Sequence, residues 1–438
     1  MRKLFMEVYG KILLIAMPAF LLLVLFEKWY GVHKGNDTVF NMDMISSLSS
    51  GVTNVTKDVL GLSLAIISYG WLADKLAIIH VKNTFLTYAI AFIVLDFAGY
   101  WVHRIQHTYN IFWNNHIIHH SSEEYNLACA LRQSISGFIR LFTIFLLPAA
   151  LLGVPPMVIA IVAPLHLFAQ FWYHTQHIRK MGLLEHIIVT PSHHRVHHAI
   201  NSIYLDKNFS QIFIFWDKLF GTFQPELKEL KPVYGVTRPV QTWNPIKINF
   251  QHVWLLTQDA WHTKKWKDKL RIWLMPLGWR PDDVTEKYPV YKIEDVNHFD
   301  KYRPATSSVL QYWCWTQLLI LLILISYFFG NIAYINSLNG AYIYWYGAFI
   351  FIMVYAYTDL MDKNSSAVIW ESMKAVLGFY FLYSQHDWFG ATKYFEGITF
   401  LIAAYLVASV LISAVFIYSF SKEDKLTSIR TNNTFPTI

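Results

Sequence analysis

Apolar runs long enough to cross a lipid bilayer recur along this chain and alternate with shorter polar stretches. A membrane-spanning helix needs about 20 mostly apolar residues. Runs that approach this length lie at 12–29, 59–79, 85–101, 135–152, 156–172, 310–329, 341–357 and 397–420, with a weaker one at 375–383. We read the first run as a retained anchor, because other spans follow it. The pattern predicts an all-α, multi-pass integral membrane protein.

The order of apolar and polar stretches divides the chain into four predicted regions. Residues 1–84 should form N-terminal anchor helices, and residues 85–223 a histidine-rich domain. Residues 224–306 read as a polar surface region and connector, and residues 307–438 as a C-terminal block of transmembrane helices. The sequence GVPP at 153–156 is typical of the tight turn in a helical hairpin. That hairpin would bring the histidines on either side of it to one membrane face.

Composition agrees with a membrane location. The 438 residues are 55% hydrophobic and only 15% charged, where about a quarter is usual for soluble domains. The 17 Trp, 26 Tyr and 32 Phe suit the aromatic belts of membrane interfaces. Two cysteines give no disulfide framework. The net charge of +7 fits an anionic lipid surface, and because no long basic block occurs we predict no nucleic-acid partner.

The histidines are concentrated and regularly spaced. Of 19, 13 lie between His103 and His198. HRIQH at 103–107 places two imidazoles one helical turn apart, and the spacing HxxHH occurs twice, at 116–120 and at 194–198. These units supply eight nitrogen ligands, whereas a tetrahedral zinc ion takes four. The pattern therefore indicates two metal ions, and imidazole suits iron, zinc, copper and nickel alike.

The other histidines lack this spacing. We expect ordinary interfacial or hydrogen-bonded roles for His33, His80, His252, His262, His298 and His386. His166, His177 and His186 lie in the dense region but outside the repeated units, and we expect the same of them.

These motifs are similar to those of the fatty acid hydroxylase and sterol desaturase superfamily of membrane di-metal oxygenases. HIIHHSSEEYNLACALRQS at 116–134, FWYHT at 171–175 and TPSHHRVHH at 190–198 resemble its alkylglycerol monooxygenase branch, as does WDKLFGT at 216–222. The resemblance is dense over 85–223 and looser through the C-terminal block. It implies that residues 85–223 form a di-iron catalytic domain that hydroxylates a C–H bond of a lipid.

The resemblance also implies a ligand set. By position, the metal ligands would be His103, His107, His116, His119, His120, His194, His197 and His198, with His174 as a ninth and His193 as a ligand or a neighbouring partner.

Several polar residues are candidates for orienting those ligands. Asp96 lies two helical turns before His103, where a carboxylate could accept an imidazole N–H. Weaker candidates of the same kind, each with an ordinary hydrogen-bonded role as its alternative, are Glu123, Asn126, Asn208 and Asp217. Arg132 and Gln133 are expected to shape a polar pocket, with a salt bridge at a helix end as the alternative reading.

The reaction and its cofactors follow from the same resemblance. Two Fe²⁺ ions would hydroxylate the ether carbon of an alkylglycerol in the membrane, and a fatty aldehyde would be released. Tetrahydrobiopterin or an electron-transfer protein would supply electrons, since no haem domain is fused to the chain. In the animal members of this branch an acidic residue follows the second histidine of the first motif, whereas here Thr108 does. That difference leaves the reductant and the lipid open.

Two alternatives remain at this point. One is a hydroxylase or desaturase of a sterol, carotenoid or fatty acyl lipid. The other is a membrane metal transporter or metal sensor, although such a protein would spread its ionisable residues over several mid-membrane helices. The membrane would be a bacterial inner membrane or the endoplasmic reticulum, with the active site on the cytoplasmic side.

Overall fold

A computed structural model gives the fold and describes residues 2–65, 68–82, 84–137, 139–140 and 142–433. Its N-terminal half contains helices α1 (Arg2–His33), α2 (Asn41–Val59), α3 (Tyr69–Leu76), α4 (Phe85–Thr108), α5 (Asn110–Trp113), α6 (Ile117–His120), α7 (Leu147–Leu151), α8 (Pro156–Phe168), α9 (Pro191–His197) and α10 (Phe215–Leu219). Within the described ranges the only strands are β1 (Leu64–Ala65) and β2 (Ile139–Arg140), which pair in parallel.

The C-terminal half contains longer and more regular helices. They are α11 (Pro245–His262), α12 (Trp266–Arg271), α13 (Asp282–Lys287), α14 (Ser308–Gly330), α15 (Ile332–Leu338), α16 (Tyr342–Met361), α17 (Ala367–Gln385) and α18 (Ile398–Asn433). Short 3₁₀ helices lie at Cys129–Leu131, Phe142–Leu146, Gly182–His186, Ile272–Leu274, Val296–His298 and Ala391–Lys393.

Five helices among the described residues are long and apolar enough to cross a membrane. They are Met6–His33, Phe85–Thr108, Ser308–Gly330, Tyr342–Met361 and Ile398–Lys422. The runs at 12–29, 85–101, 310–329, 341–357 and 397–420 are thus confirmed as candidate spans. The fold is confirmed as all-helical apart from the two-residue strands, with several membrane-spanning helices.

Three other predicted spans are wrong. The run at 59–79 is broken where α2 ends at Val59 and Gly61 adopts a left-handed conformation, and residues 66–67 lie outside the described ranges. The run at 135–152 is divided among β2, a 3₁₀ helix and α7. The run at 156–172 forms a helix of 13 residues, which reaches only about 20 Å. The weaker run at 375–383 lies inside α17, which is not one of the five candidate spans.

The predicted hairpin turn does form, between α7 and α8. Gly153 has φ +64°, and a Cβ atom at this position would lie 2.0 Å from the Ile79 carbonyl oxygen. Only glycine satisfies both constraints. A small apolar core joins this hairpin to α4 through Ala91, Val94 and Val158.

The largest core unites the two ends of the chain. It contains Val24 of α1, Met44 of α2, Leu321 of α14 and Tyr346 of α16. Helices α1 and α2 therefore pack with the C-terminal helices, whereas Tyr69 of α3 packs against the core around α4 and α8. The sequence did not predict α2, because its buried residues include many serines and threonines that hydrogen bond within the helix or to neighbouring segments.

Candidate metal centre

Histidines from four segments converge beside α4 and form two groups. The first group contains His103, His107, His116, His120 and His197, and within it one nitrogen of each ring lies within 4.8 Å of the others. His103 and His107 are separated by one turn of α4, so both rings point to the same side. The other members come from α6 and the turn before it, and from α9.

The second group contains His119, His174, His194 and His198. Their Nε2 atoms form a closed ring whose edges are 3.3 Å (His119 to His174), 2.9 Å (His174 to His194), 3.1 Å (His194 to His198) and 3.1 Å (His198 to His119). Two imidazole nitrogens bound to one metal ion at about 2.1 Å are themselves about 3 Å apart. The ring therefore has the spacing of ligands around one ion.

Several of these rings have a fixed tautomer. The Nδ1 atom of His103 donates to the Phe209 carbonyl oxygen at 2.8 Å, and that of His197 donates to the Lys207 carbonyl oxygen at 2.9 Å. A carbonyl can only accept, so Nδ1 carries the proton in each neutral ring and the lone pair lies on Nε2. The Nε2 atom of His103 is buried without a hydrogen-bond partner.

In the second group, two rings also donate from Nδ1 to backbone carbonyl oxygens. His174 donates from Nδ1 to the Gln170 carbonyl oxygen at 3.1 Å, and His119 donates to the Arg132 carbonyl oxygen at 3.3 Å. Their Nε2 lone pairs therefore face each other. Burial and neighbouring histidines lower the pKa of His119 to about 3 and hold the pKa of His174 well below its usual value, so neither ring is protonated near pH 7. Converging neutral lone pairs fit a bound cation.

A carboxylate and a tight loop orient the first group. Asp206, whose side chain is 60% exposed, lies 3.2 Å from the Nδ1 atom of His107. Asp217 accepts hydrogen bonds from the backbone N–H groups of Phe209 and Ser210 at 2.8 and 2.9 Å. Because the Phe209 carbonyl accepts from His103, Asp217 acts on that histidine through one peptide group.

Two residues predicted to serve the metals are placed elsewhere. Asp96 accepts from the backbone N–H groups of Ile212 and Phe213 and from the Trp216 indole, and it lies 3.0 Å from His166. The prediction that Asp96 orients a ligand histidine is therefore wrong, because those donors occupy both of its oxygens.

His193 lies outside both groups. Its Nδ1 atom contacts Thr190 at the start of α9, and its ring packs near Phe223. The reason is angular: within α9 the residue before His194 points about 100° away from it.

The remaining polar candidates support the loops around the centre. Glu123 accepts from the backbone N–H of Tyr302, and Asn126 caps the turn at Ala128 and Cys129. Asn208, at φ +57°, donates to the carbonyl oxygens of His193 and Gln224.

The alternative reading of Arg132 as a salt-bridge residue agrees with the structure. Arg132 forms a fully buried ion pair with Asp43 of α2 at 2.6 Å, and it also lines the cavity described next. Gln133 lines the same cavity.

A cavity of about 850 Å³ leads to the histidines. Its wall includes apolar residues of α1 and α8, among them Ile12, Phe20 and Phe168, and it includes His103, His116, His119, His174 and His194. Ile12 and Phe168 are 56% and 61% exposed, so the cavity opens at an apolar surface formed by α8 and by α1, which is a candidate membrane span. An apolar chain from the membrane therefore has a route to both histidine groups.

Sequence reasoning missed several parts of this site. The carbonyl partners at Phe209, Lys207 and Gln170 leave no mark on the sequence, since any residue supplies a carbonyl. Asp206 could have been noticed as an acidic residue shortly after the last histidine motif. Thr108 is exposed, donates to the Arg104 carbonyl oxygen and does not line the cavity.

Comparison with known proteins agrees with this geometry. The fatty acid hydroxylase family model matches residues 88–222, which contain all nine grouped histidines. The chain is 33% identical to alkylglycerol monooxygenase of Homo sapiens over 372 residues, 83% of this chain and 80% of that one. It is 34% identical to alkylglycerol monooxygenase of Danio rerio over 83% of this chain and 80% of that protein.

More distant similarity extends to other lipid enzymes. Ornithine lipid hydroxylase of Rhizobium tropici is 25% identical over 34% of this chain and 46% of its own length. No solved structure matches the chain significantly. Both the superfamily and the branch indicated by the motifs are confirmed, which favours an enzyme over a metal transporter or sensor. The chain belongs to the alkylglycerol monooxygenase family of membrane-bound fatty acid hydroxylases.

Proposed function

We propose that this protein is a di-iron monooxygenase that hydroxylates the ether carbon of an alkylglycerol and thereby releases a fatty aldehyde and glycerol. One observation carries the proposal: two groups of histidine nitrogens converge where a membrane-facing cavity ends. The substrate class is taken from the relatives that cover most of the chain, which are named alkylglycerol monooxygenases.

The nine grouped histidines would hold the two metal ions. Five would bind one ion and four the other, which leaves coordination positions open in an octahedral geometry. When bound, a pair of redox-active metal ions supplies the activation of O₂ and the insertion of one oxygen atom into a C–H bond. Tetrahydrobiopterin or an electron-transfer protein is the proposed source of the two electrons.

The cavity would place the lipid. Its apolar wall along α1 runs from Tyr9 to Leu21, about 18 Å at the rise of an α-helix. That length is similar to one leaflet of the hydrocarbon core, about 15 Å. An alkyl chain lying there would bring its polar end to the histidines. The apolar residues would also keep bulk water from the reacting carbon.

The reaction balances without a further group from the protein. One oxygen atom of O₂ enters the C–H bond beside the ether oxygen, and two electrons and two protons reduce the other oxygen atom to water. The product is a hemiacetal, whose C–O bond to glycerol breaks as its hydroxyl proton passes to the glycerol oxygen. Fatty aldehyde and glycerol result. We place this site on the cytoplasmic side of a bacterial inner membrane or the endoplasmic reticulum.

Metal content and product formation test the proposal together. Purified protein loaded with Fe²⁺ should contain two metal ions and, with tetrahydrobiopterin and O₂, should release fatty aldehyde from an alkylglycerol. His119→Ala and His197→Ala each remove a nitrogen from a different group, so each should lose about one metal ion and nearly all activity. The matched control is His186→Ala, because His186 is exposed and lies in neither group.

Two outcomes would reject it. Wild-type protein that binds less than one metal ion per chain has no di-metal centre. Protein that holds two iron ions and oxidises a sterol or fatty acyl lipid, but releases no aldehyde from alkylglycerols with any electron donor, is an enzyme of the wider superfamily with another substrate.

A further inference from the structure

The segment WHTKKWKDKLRIWL at 261–274 forms an amphipathic surface that lies outside the metal centre and the cavity. Trp266, Leu270 and Leu274 recur every fourth residue along α12 and the 3₁₀ helix that follows it, so they share one side. They are 76%, 75% and 63% exposed. Asp268, on the opposite side, is buried. We call the exposed side of this segment the basic surface, because cations flank its apolar stripe.

Positive charge exceeds negative charge around this stripe. The cations of the segment are Lys264, Lys265, Lys267, Lys269 and Arg271. Among the described residues, the carboxylates that bond to the segment are those of Asp268, which pairs with Arg271 at 2.7 Å, and Asp283, which accepts from the backbone N–H of Lys264 at 3.0 Å. The basic surface therefore keeps an excess of three positive charges.

The basic surface is held beside the end of a candidate membrane span. Helix α4 ends at Thr108, whose carbonyl oxygen accepts a hydrogen bond from the backbone N–H of Leu277 at 2.8 Å. The backbone N–H of Asn110 donates to the Met275 carbonyl oxygen at 3.0 Å, and the Asn110 side chain donates to the Ile272 carbonyl oxygen at 3.0 Å. These bonds fix the stripe where the chain leaves the apolar layer.

An apolar stripe flanked by cations at this boundary fits the headgroup layer of a bilayer. Indole and leucine side chains are removed from water there, while lysines reach the phosphates. Each such cation strengthens binding to an anionic surface about fivefold at low salt. We propose that the basic surface binds anionic lipid headgroups of the membrane that α4 spans, and so anchors the histidine-rich domain against it. The position beside the end of α4 favours lipid over an acidic protein as the partner.

A fluorophore in the middle of the stripe tests this proposal without turnover. The two cysteines of the chain, Cys129 and Cys314, are buried, so Leu270→Cys supplies one accessible thiol for an environment-sensitive label. The full-length protein is reconstituted in nanodiscs of phosphatidylcholine alone or of phosphatidylcholine mixed with phosphatidylglycerol. Acrylamide, an uncharged aqueous quencher, should quench the label at least about fivefold less in the anionic nanodiscs. High salt should remove most of this difference, because it screens the charges.

Matched variants locate the effect. The double substitution Lys264→Gln, Lys267→Gln lowers the excess charge to one and should remove most of the difference between the two lipids. The double substitution Lys228→Gln, Lys231→Gln removes the same charge from exposed positions outside the basic surface and should leave the difference unchanged. A label at the exposed Glu229, introduced as Glu229→Cys, should be quenched equally in both lipids. Metal content equal to that of the wild type shows that each variant is folded.

Two results would overturn the proposal. Equal quenching of the label at position 270 in neutral and anionic nanodiscs means that the surface does not select anionic lipid. Shielding that appears only after an acidic electron-transfer protein is added assigns the surface to that protein instead. Failure of the proposed function is distinguishable from both, because it abolishes aldehyde release and leaves the lipid-dependent shielding in place.

Discussion

The histidine-rich domain and the C-terminal block each bury a cluster of ionisable groups. The two clusters differ in how those groups are stabilised. In the C-terminal block, Lys374 and Glu371 of α17 form an ion pair at 2.5 Å in which both side chains are fully buried. Tyr405 accepts a hydrogen bond from Lys374, and Gln317 donates to Glu371. Each charge has its partner within the protein.

The Nε2 lone pairs of the histidine groups have no donor of this kind within the described part of the protein. The Nε2 atoms of His119 and His174 are 3.3 Å apart, and both rings carry their proton on Nδ1. The Nε2 atom of His103 is buried without a hydrogen-bond partner. The comparison teaches that burial of polar groups alone does not indicate a functional site. The C-terminal cluster is complete as folded, whereas the metal centre needs cations from outside.

Removal of metal should therefore separate the two regions, and we expect this to be the largest effect. Treatment of the iron-loaded protein with a chelator should lower amide hydrogen-exchange protection in α6 and α9 by about 10⁴-fold or more, since each of two ions held at about 1,000 times its Kd stabilises the folded site by about 4 kcal/mol. Protection in α16 and α17 should be unchanged. Hydrogen exchange with mass spectrometry measures both in one sample. Equal loss in the two regions would show that the metal holds the whole chain together.

Breaking the C-terminal pair should have the next largest effect. Glu371→Gln leaves Lys374 buried without a countercharge, which costs about 3–5 kcal/mol of unfolding free energy. The double substitution Glu371→Met, Lys374→Met removes both charges and should restore most of this loss. Thermal unfolding in detergent measures the difference, and Glu396→Gln at an exposed position is the control. If the double variant is as unstable as Glu371→Gln, the pair contributes more to stability than the balance of its two charges.

The same comparison explains what the sequence could predict. The C-terminal spans predicted at 310–329, 341–357 and 397–420 are long helices in the structure. For these segments, the length and hydropathy of the apolar run are enough to predict a membrane-spanning helix. In the histidine-rich half, the prediction from hydropathy was wrong at 135–152, where the chain breaks into a two-residue strand, a 3₁₀ helix and a helix of five residues.

The candidate site was predictable to the extent that it depends on side-chain spacing. Each HxxHH motif contributes to both groups, with His116, His120 and His197 in the first group and His119, His194 and His198 in the second. The spacing predicts that these rings lie close together, but it does not predict which ring belongs to which of the two groups. The Phe209 carbonyl partner and the cavity wall from α1 could not be predicted, since both depend on contacts between segments distant in sequence.

A third prediction asks whether the C-terminal block takes part in substrate binding. Leu322 of α14 lines the cavity, so Leu322→Trp should shorten the space for an alkyl chain. We expect KM to rise about tenfold for the longest substrates and little for short ones, since extra volume in a filled space costs about 1–3 kcal/mol. Ile323→Trp is the control, because Ile323 is 59% exposed and lies outside the cavity wall. Turnover across a series of alkylglycerols measures the effect, and the same profile in both variants would confine substrate binding to the N-terminal half.

The smallest expected effect concerns Asp206, which orients His107 in the first group. Carboxylates that orient ligand histidines change metal affinity by about 10–100-fold, and 60% exposure of this side chain favours the lower end. Asp206→Asn should therefore lower the affinity for one of the two metal ions about tenfold, as measured by competition with a chelator. The affinity for the other ion and the stability of the C-terminal block should be unchanged. Asp295→Asn is the matched control, because Asp295 pairs with His298 at 2.6 Å on the surface. If Asp206→Asn lowers the affinity for both ions equally, the two histidine groups bind metal as one coupled site. The division into five and four histidines would then not correspond to two independent metal sites.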